Sequence, residues 1–205
     1  MLIAGAGGHA LEVKEELERI NSSFRFVFFD ETGPQSNFPL ADYPVISQVE
    51  DLILHLNTSP EFVLGLGKPE IRERFMGLFE GMGGSYFPLH ARTSQISPTA
   101  AGDFDALSFS FVGPSTHIGR GTLINSRAHV HHQVQVGDFC EIGPGALLLG
   151  AVKIGKKCRI GAGAILLPGV ILGDEVVVGA GAVVAKNIGS KITVAGVPAR
   201  PLKNS

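Results

Sequence analysis

The sequence predicts a two-part chain, a small α/β unit built on a parallel sheet followed by a parallel β-solenoid of six-residue repeats. Two observations carry this. From Val112 to Val184 an aliphatic residue recurs every six positions, thirteen times without an insertion. Before that stretch, short apolar runs alternate with amphipathic segments, the pattern of strand, turn and helix units. The composition agrees with both, since 27 glycines, no Trp and a charged fraction of 18% suit tight, regular turns better than a helical bundle. A length of 205 residues is enough for a core in each part.

The first domain is expected over residues 1–85. "MLIAGAGGHALEVKEELERI" reads as a short strand, a Gly-rich turn and an amphipathic helix, "RFVFFDETG" as a second strand ending in acids, and "EFVLGLGKPEIRERFMGLFEGMG" as a further strand, turn and helix. Arg72 and Arg74 are expected on the polar face of that last helix. Gly5-Ala6-Gly7-Gly8-His9-Ala10 resembles the dinucleotide fingerprint G-x-G-x-x-G/A, with Asp30 downstream at a second strand end. This points to a Rossmann-like unit with a phosphate at a helix N-terminus. So short a domain holds about half of a doubly wound fold, one mononucleotide. A nucleotide-linked substrate therefore fits it better than a nicotinamide cofactor.

The second domain is expected over residues 86–205, with residues 91–111 joining the two parts because Ile96 stands outside the strict pattern. The aliphatics Val112, Ile118, Ile124, Val130, Val136, Ile142 and so on to Val184 are followed by Gly at 113, 119, 137, 143, 155, 161, 173 and 179. The residue two places before them is usually small, as at Thr116, Thr122, Ala128, Ala146, Ala164 and Ala182. Short strand, tight turn and close backbone approach, repeated, define a hexapeptide solenoid. A sandwich spaces its strands irregularly at about 8–12 residues and a helix repeats at about 3.6, so neither fits. Three hexads are expected per coil, and "AKNIGSKITVAGVPARPLKNS" should close one end. Cys140 and Cys158 take the small inward position of their hexads and read as buried thiols rather than nucleophiles.

A formal net charge of -2 and a pI near 6.4 give no basic field for nucleic acid or an anionic membrane. Two cysteines do not make a disulfide framework, the start lacks the marks of a signal peptide, and no run approaches membrane-spanning length. A soluble, cytoplasmic protein is expected.

His129, His131 and His132 form a cluster open to several readings. Adjacent strand residues point to opposite sides, so 131 and 132 cannot both ligate one ion without distortion. No metal site is assigned, and a metal hydratase stays a lesser alternative.

"GAGGHA" at the start, an uninterrupted hexapeptide run containing "INSRAHVHHQVQVGDF", and "VAGVPARPL" at the end together resemble the sugar acyltransferases that include sialic acid O-acetyltransferases and bacillosamine-pathway N-acetyltransferases. The resemblance covers nearly the whole chain. It implies a left-handed β-helix, a homotrimer with active sites between subunits, acetyl-CoA along the groove between two β-helices, and a nucleotide-linked amino sugar held partly by the first domain. It places the base on His132, with Asn125 at the same site and Gly150 offering its N–H to the thioester oxygen. It places acetyl-CoA along Gly143, Gly150, Lys157, Gly161, Ala162, Gly179, Ala180 and Arg200, and the nucleotide sugar at Gly7, Gly8, His9, Asp30 and Glu31.

Two departures matter. Gln133 stands where the family has an acid after the base, and Glu141 where many members have a second histidine. A carboxylate on the far ring nitrogen fixes the tautomer and stabilises the imidazolium, and glutamine does only the first. Glu141 and Asp138 are the candidates to supply the missing charge. Lys153, Lys156, Lys157 and Arg159 form a basic patch that reads as a solvated face or as a seat for the phosphates of CoA.

The chemistry expected is direct acyl transfer from acetyl-CoA to a sugar amine, His132 taking the proton, with O-acetylation of sialic acid as the alternative and a non-catalytic sugar-nucleotide-binding scaffold as the reading from another class.

Overall fold

The computed structural model describes residues 1–33 and 42–202. It divides into two compact units, Met1–Arg92 and Thr93–Ser205. Among the described residues no helix is long and apolar enough to cross a membrane.

In the first unit β1 (Leu2–Ala4), β2 (Val27–Phe29), β3 (Val45–Ile46), β4 (Glu61–Leu64) and β5 (Ser85–Tyr86) form a parallel sheet in the order β3-β2-β1-β4-β5. The helices are α1 (Gly8–Ile20), α2 (Val49–Thr58) and α3 (Pro69–Gly81). β1 and, after the exposed Glu61, the rest of β4 are buried apolar runs, as strands covered on both faces must be. Phe29, Phe62, Phe75 and Phe79 pack edge to face between sheet and α3, with centroids 5.0–5.8 Å apart along the chain of contacts. The order reverses beside β1, so the turns after β1 and β4 flank the crevice where open α/β sheets take their ligands.

Arg72 corrects the expectation of a polar helix face. Its side chain is fully buried, and its Nη1 donates to the carbonyls of Leu66 (2.6 Å) and Leu64 (3.3 Å) at the end of β4. The helical period puts it on the face toward the sheet, where only hydrogen-bonded charge is tolerated. Arg74 does lie outward and grips Glu31 through two bonds of 2.9 and 2.7 Å.

The second unit is a three-faced solenoid. The first face stacks Asp105–Ala106, Leu123–Ile124, Glu141–Ile142, Arg159–Ile160, Val177–Val178 and Thr193–Ala195. The second stacks Gln95–Ile96, Phe111–Val112, His129–Val130, Leu147–Leu148, Ile165–Leu166 and Val183–Val184, and the third runs from His117–Ile118 through Gln135–Val136 and Lys153–Ile154 to Ile171–Leu172. Ile124 pairs with Ile142 and Ile142 with Ile160, so one coil is 18 residues, three hexads. The inward residues form one continuous core.

The segment 91–111 does more than join the two parts, and here the expectation is corrected. Ile96 pairs with Val112 and Ala106 with Ile124, so this segment already builds coil. Ile96 lies 16 residues before its partner instead of 18, and that two-residue slip hides it from a strict period of six. At the other end Thr193–Ala195 pairs with the first face and Arg200–Pro201 folds back antiparallel onto it.

Stacking dictates the small residues. A Cβ on Gly119 would run into the backbone of Gly137 and Asp138, and one on Gly143, Gly161 or Gly155 into the next coil. Glycine after the aliphatic is thus a requirement of coil packing before any ligand is considered. Thr122, Cys140 and Cys158 stack inside one corner, where Thr122 Oγ1 accepts the Cys140 N–H at 2.9 Å and Cys140 Sγ accepts the Cys158 N–H at 3.3 Å. Both thiols are buried, and burial pushes the Cys140 thiol well up.

Candidate active site

His132 opens the turn between the second and third faces, one residue beyond the strand His129–Val130 and its follower His131. The turn needs a left-handed residue, and Gln133 supplies it at φ 60°. Its N–H donates to Pro114 O (3.0 Å) in the coil before, while Ala151 N–H donates to His132 O (3.0 Å) in the coil after. The backbone of His132–Gln133 is thereby fixed by both neighbours.

The side chain is fixed as well. His132 Nδ1 lies 3.1 Å from Gln133 Oε1. A carbonyl oxygen only accepts, so in the neutral ring Nδ1 carries the proton and Nε2 keeps its lone pair. The ring lies in the space that a side chain at 150 would fill, because a Cβ there would meet Cε1 at 2.5 Å and Nε2 at 2.7 Å. The Gly150 N–H has no acceptor among the described residues. A lone pair on Nε2 beside an unused N–H is the pairing of proton acceptor and oxyanion donor that acyl transfer requires.

Asn125 follows the first-face strand Leu123–Ile124, and its Oδ1 accepts the Ser126 N–H at 2.7 Å. Neither carboxylate expected to support His132 does so within the chain. Glu141 accepts from Arg159 Nε at 2.9 Å, one coil on. Asp138 accepts the Arg120 N–H at 3.0 Å and pairs with Lys156 at 3.1 Å. The basic patch is therefore partly neutralised, Lys156 and Arg159 being paired.

His129 and His131 pack their rings with Phe111 at centroid distances of 5.9 and 6.1 Å. Among the described residues no group of three or more His, Cys, Asp or Glu side chains is placed to hold a metal.

Gly143, Gly161 and Gly179 stack one per coil, with Ala162 and Ala180 beside the last two on an exposed edge. A groove of about 330 Å³ follows this edge, lined by Glu141, Gly143, Arg159, Gly161, Ala162 and Val177. Lys157 sits at a left-handed turn on another corner. Arg200 lies near the C-terminal hairpin, beside a cleft of about 320 Å³ with Lys186 and Asn187. With Gly150 beside the His132 ring, the residues expected along acetyl-CoA therefore lie at four places on the solenoid rather than in one groove of a single chain.

In the first unit the sequence-predicted residues converge on the β1 turn. Gly7 caps α1 without a side-chain bond, and nothing lies within 4 Å of a Cβ built on Gly7 or Gly8, so the helix N-terminus is open to an anion. His9 Nδ1 meets Glu12 at 3.1 Å and holds that carboxyl below its usual range, while Nε2 is buried without a partner among the described residues. Asp30 is already engaged, accepting the Ala6 N–H at 3.1 Å and the Thr32 hydroxyl at 2.6 Å. It ties the β1 turn to the end of β2. The Glu31 carboxylate is taken up by Arg74, a partner that sequence spacing did not reveal.

Residues 1–78 match the PglD N-terminal domain, and residues 115–150 and 151–186 match the bacterial transferase hexapeptide repeats. No curated protein matches in sequence. The acetyltransferase domain of PglB from Neisseria gonorrhoeae, solved with acetyl coenzyme A, is similar at TM-score 0.87 and 30% identity over 98% of each chain. A perosamine N-acetyltransferase from Caulobacter crescentus, solved with CoA and GDP-perosamine, is similar at TM-score 0.87 and 26% identity, over 99% of this chain and 96% of that one. WeeI from Acinetobacter baumannii gives 0.82 and 25% over 98% of each. With a left-handed β-helix behind a PglD-type N-terminal domain, the chain belongs to the hexapeptide-repeat sugar acyltransferases.

Proposed function

We propose that this protein transfers the acetyl group of acetyl-CoA to the amine of a nucleotide-linked sugar, with His132 as the base. The observation that carries this reading is the fit of the His132 ring into the space left by Gly150, with Nε2 free and the Gly150 N–H unused. A sugar ammonium cannot attack a thioester, so the amine must first lose a proton, and a neutral imidazole within hydrogen-bond reach takes it. The tetrahedral oxyanion forms beside the Gly150 N–H, the thiolate of CoA leaves, and no covalent enzyme intermediate is needed. The nucleotide part binds the open N-terminus of α1 near Gly7, Gly8 and His9, with Asp30 and the Arg74-held Glu31 shaping the turn around it.

The acceptor is read as an amine because a similar protein, from Caulobacter crescentus, is a perosamine N-acetyltransferase solved with GDP-perosamine. A neutral amine attacks with its own lone pair, whereas a hydroxyl must lose its proton during attack.

The homotrimer belongs to this reading. On the outward side of the second face Leu147, Ile165 and Val183 form an apolar ladder over three successive coils, with Phe111 beyond His129, each of the four apolar residues half-buried and suited to burial against like faces. Light scattering should return three chains, and a stable monomer would remove the shared groove.

The test is release of free thiol from acetyl-CoA with UDP- and GDP-linked 4-amino sugars and with free sialic acid. Turnover with an amino sugar that falls at least a hundredfold in His132→Ala, with CoA binding retained, is the expected result. Turnover with sialic acid alone would assign O-acetylation. CoA binding without turnover on any acceptor would leave a binding protein.

A further inference from the structure

At the corner between the first and second faces one residue per coil takes a left-handed backbone: Phe109, Arg127, Gly145, Gly163 and Gly181, at φ between 59° and 66°. The three later coils use glycine and leave the corner bare, with nothing within 4 Å of an added Cβ. The two earlier coils place large side chains there, against the preference of L-residues. Left-handed non-glycine residues occur at the other corners too, so the backbone alone distinguishes nothing. The side chains do. Phe109 is 60% exposed and its ring packs on no other ring among the described residues, whereas Phe139, also left-handed, is half-buried. The Arg127 guanidinium has no carboxylate partner among the described residues, and the Ser126 hydroxyl has no bond there.

These groups line one cleft of about 490 Å³, formed by Ser108, Phe109, Ser126, Arg127, Pro144 and Gly145. An exposed aromatic face stacks on the apolar face of a sugar or nucleoside ring, an unpaired guanidinium binds phosphate or carboxylate through paired N–H groups, and serine hydroxyls meet ring hydroxyls. The cleft begins one residue after Asn125, whose Oδ1 holds the Ser126 N–H.

We propose that this cleft is the acceptor subsite, the sugar ring lying on Phe109 and an anionic group of the acceptor pairing with Arg127. The proposal rests on the acyl-transfer reading above and adds the residues that select the acceptor.

The chain has no tryptophan, so Phe109→Trp places its only indole in the cleft. Emission of the full-length variant should change on titration with a UDP- or GDP-linked 4-amino sugar and saturate over the range in which turnover saturates. Adding Arg127→Ala should weaken that response at least tenfold. In the thiol-release assay Phe109→Ala and Arg127→Ala should each raise KM for the acceptor at least tenfold, with kcat and KM for acetyl-CoA within twofold, and Arg127→Lys should recover part of the loss. A response to free sialic acid as well would identify a carboxylate as a competent anion, and a response to the nucleotide sugars alone would identify the diphosphate. Turnover without any change in emission overturns the subsite and leaves acyl transfer standing. A change in emission without turnover leaves the cleft as a sugar-nucleotide binding site and overturns both acyl transfer and the acceptor role. Emission that ignores every acceptor, with a Phe109→Ala protein of altered mass by light scattering, would make Phe109 a subunit contact and overturn the proposal.

Discussion

The two units hold their candidate site residues by different means. In the solenoid a residue's surroundings follow from its phase in an 18-residue coil, so neighbours in space are 18 positions apart in the chain, as with Glu141 and Arg159 or His132 and Gly150. In the first unit they follow from the crossing of strands and helices, as where Asp30 reaches back 24 positions to Ala6 and Glu31 forward 43 to Arg74. A periodic fold makes its core readable and concentrates its chemistry at departures from the period. A wound sheet places its chemistry where the strand order reverses, which no local pattern encodes.

The comparison can be broken most forcefully at Gly119. Alanine there should cost about 3 kcal/mol in denaturant unfolding, because the backbone of the next coil occupies the Cβ position. A wild-type midpoint would mean that the coils tolerate separation and that the glycine pattern is not set by stacking.

Arg72→Met tests the other unit. Leaving the Leu64 and Leu66 carbonyls without their donor should cost about 2–3 kcal/mol, with thermal unfolding of the first unit moved down and that of the solenoid unchanged. A single transition that shifts as a whole would show the two units to be coupled in folding.

Gly150 and Gly145 separate stacking from chemistry. Gly150→Ala would push against the His132 ring and should lower kcat about tenfold while stability changes little. Gly145→Ala meets open space at φ 66°, and should cost about 1 kcal/mol in stability while kcat is kept. Equal activities in the two variants would mean that the ring position at 150 does not matter to turnover.

The smallest effect is expected at His55. Its burial, and after that the nearby N-terminal ammonium, hold its folded value below that of the unfolded chain. Between the two values the unfolded chain binds the extra proton. Stability should therefore decline as pH falls from about 6.5 toward the lower folded value, and His55→Gln should flatten that slope. An unchanged slope would assign it to other groups.

The solenoid's register, its inward aliphatics and the small residues beneath them were legible because each hexad repeats one local instruction. The first coil was not, since a two-residue slip between Ile96 and Val112 breaks the phase while leaving the pairing intact. In the first unit β1, β2, β4, α1, α3 and the Gly-rich turn were legible from local pattern, whereas β3, α2 and β5 were not read. Arg72 was not, because a charged residue on an amphipathic helix reads as outward until the carbonyls it serves are seen behind it. His132 was found through family resemblance, and its setting against Gly150 came only from the stacking of coils.

The sequence by itself thus determined the two kinds of unit and the length of the repeat, since these depend on local periodicity. Only the tertiary structure decided which carboxylates were already bound, as Asp30 by Ala6 and Thr32, Glu141 by Arg159 and Asp138 by Lys156, and which groups were left open, as at Phe109 and Arg127. The physical reason is that a charge or ring is engaged or available according to what lies within a few ångströms of it, and in a coiled or wound chain those neighbours come from other turns.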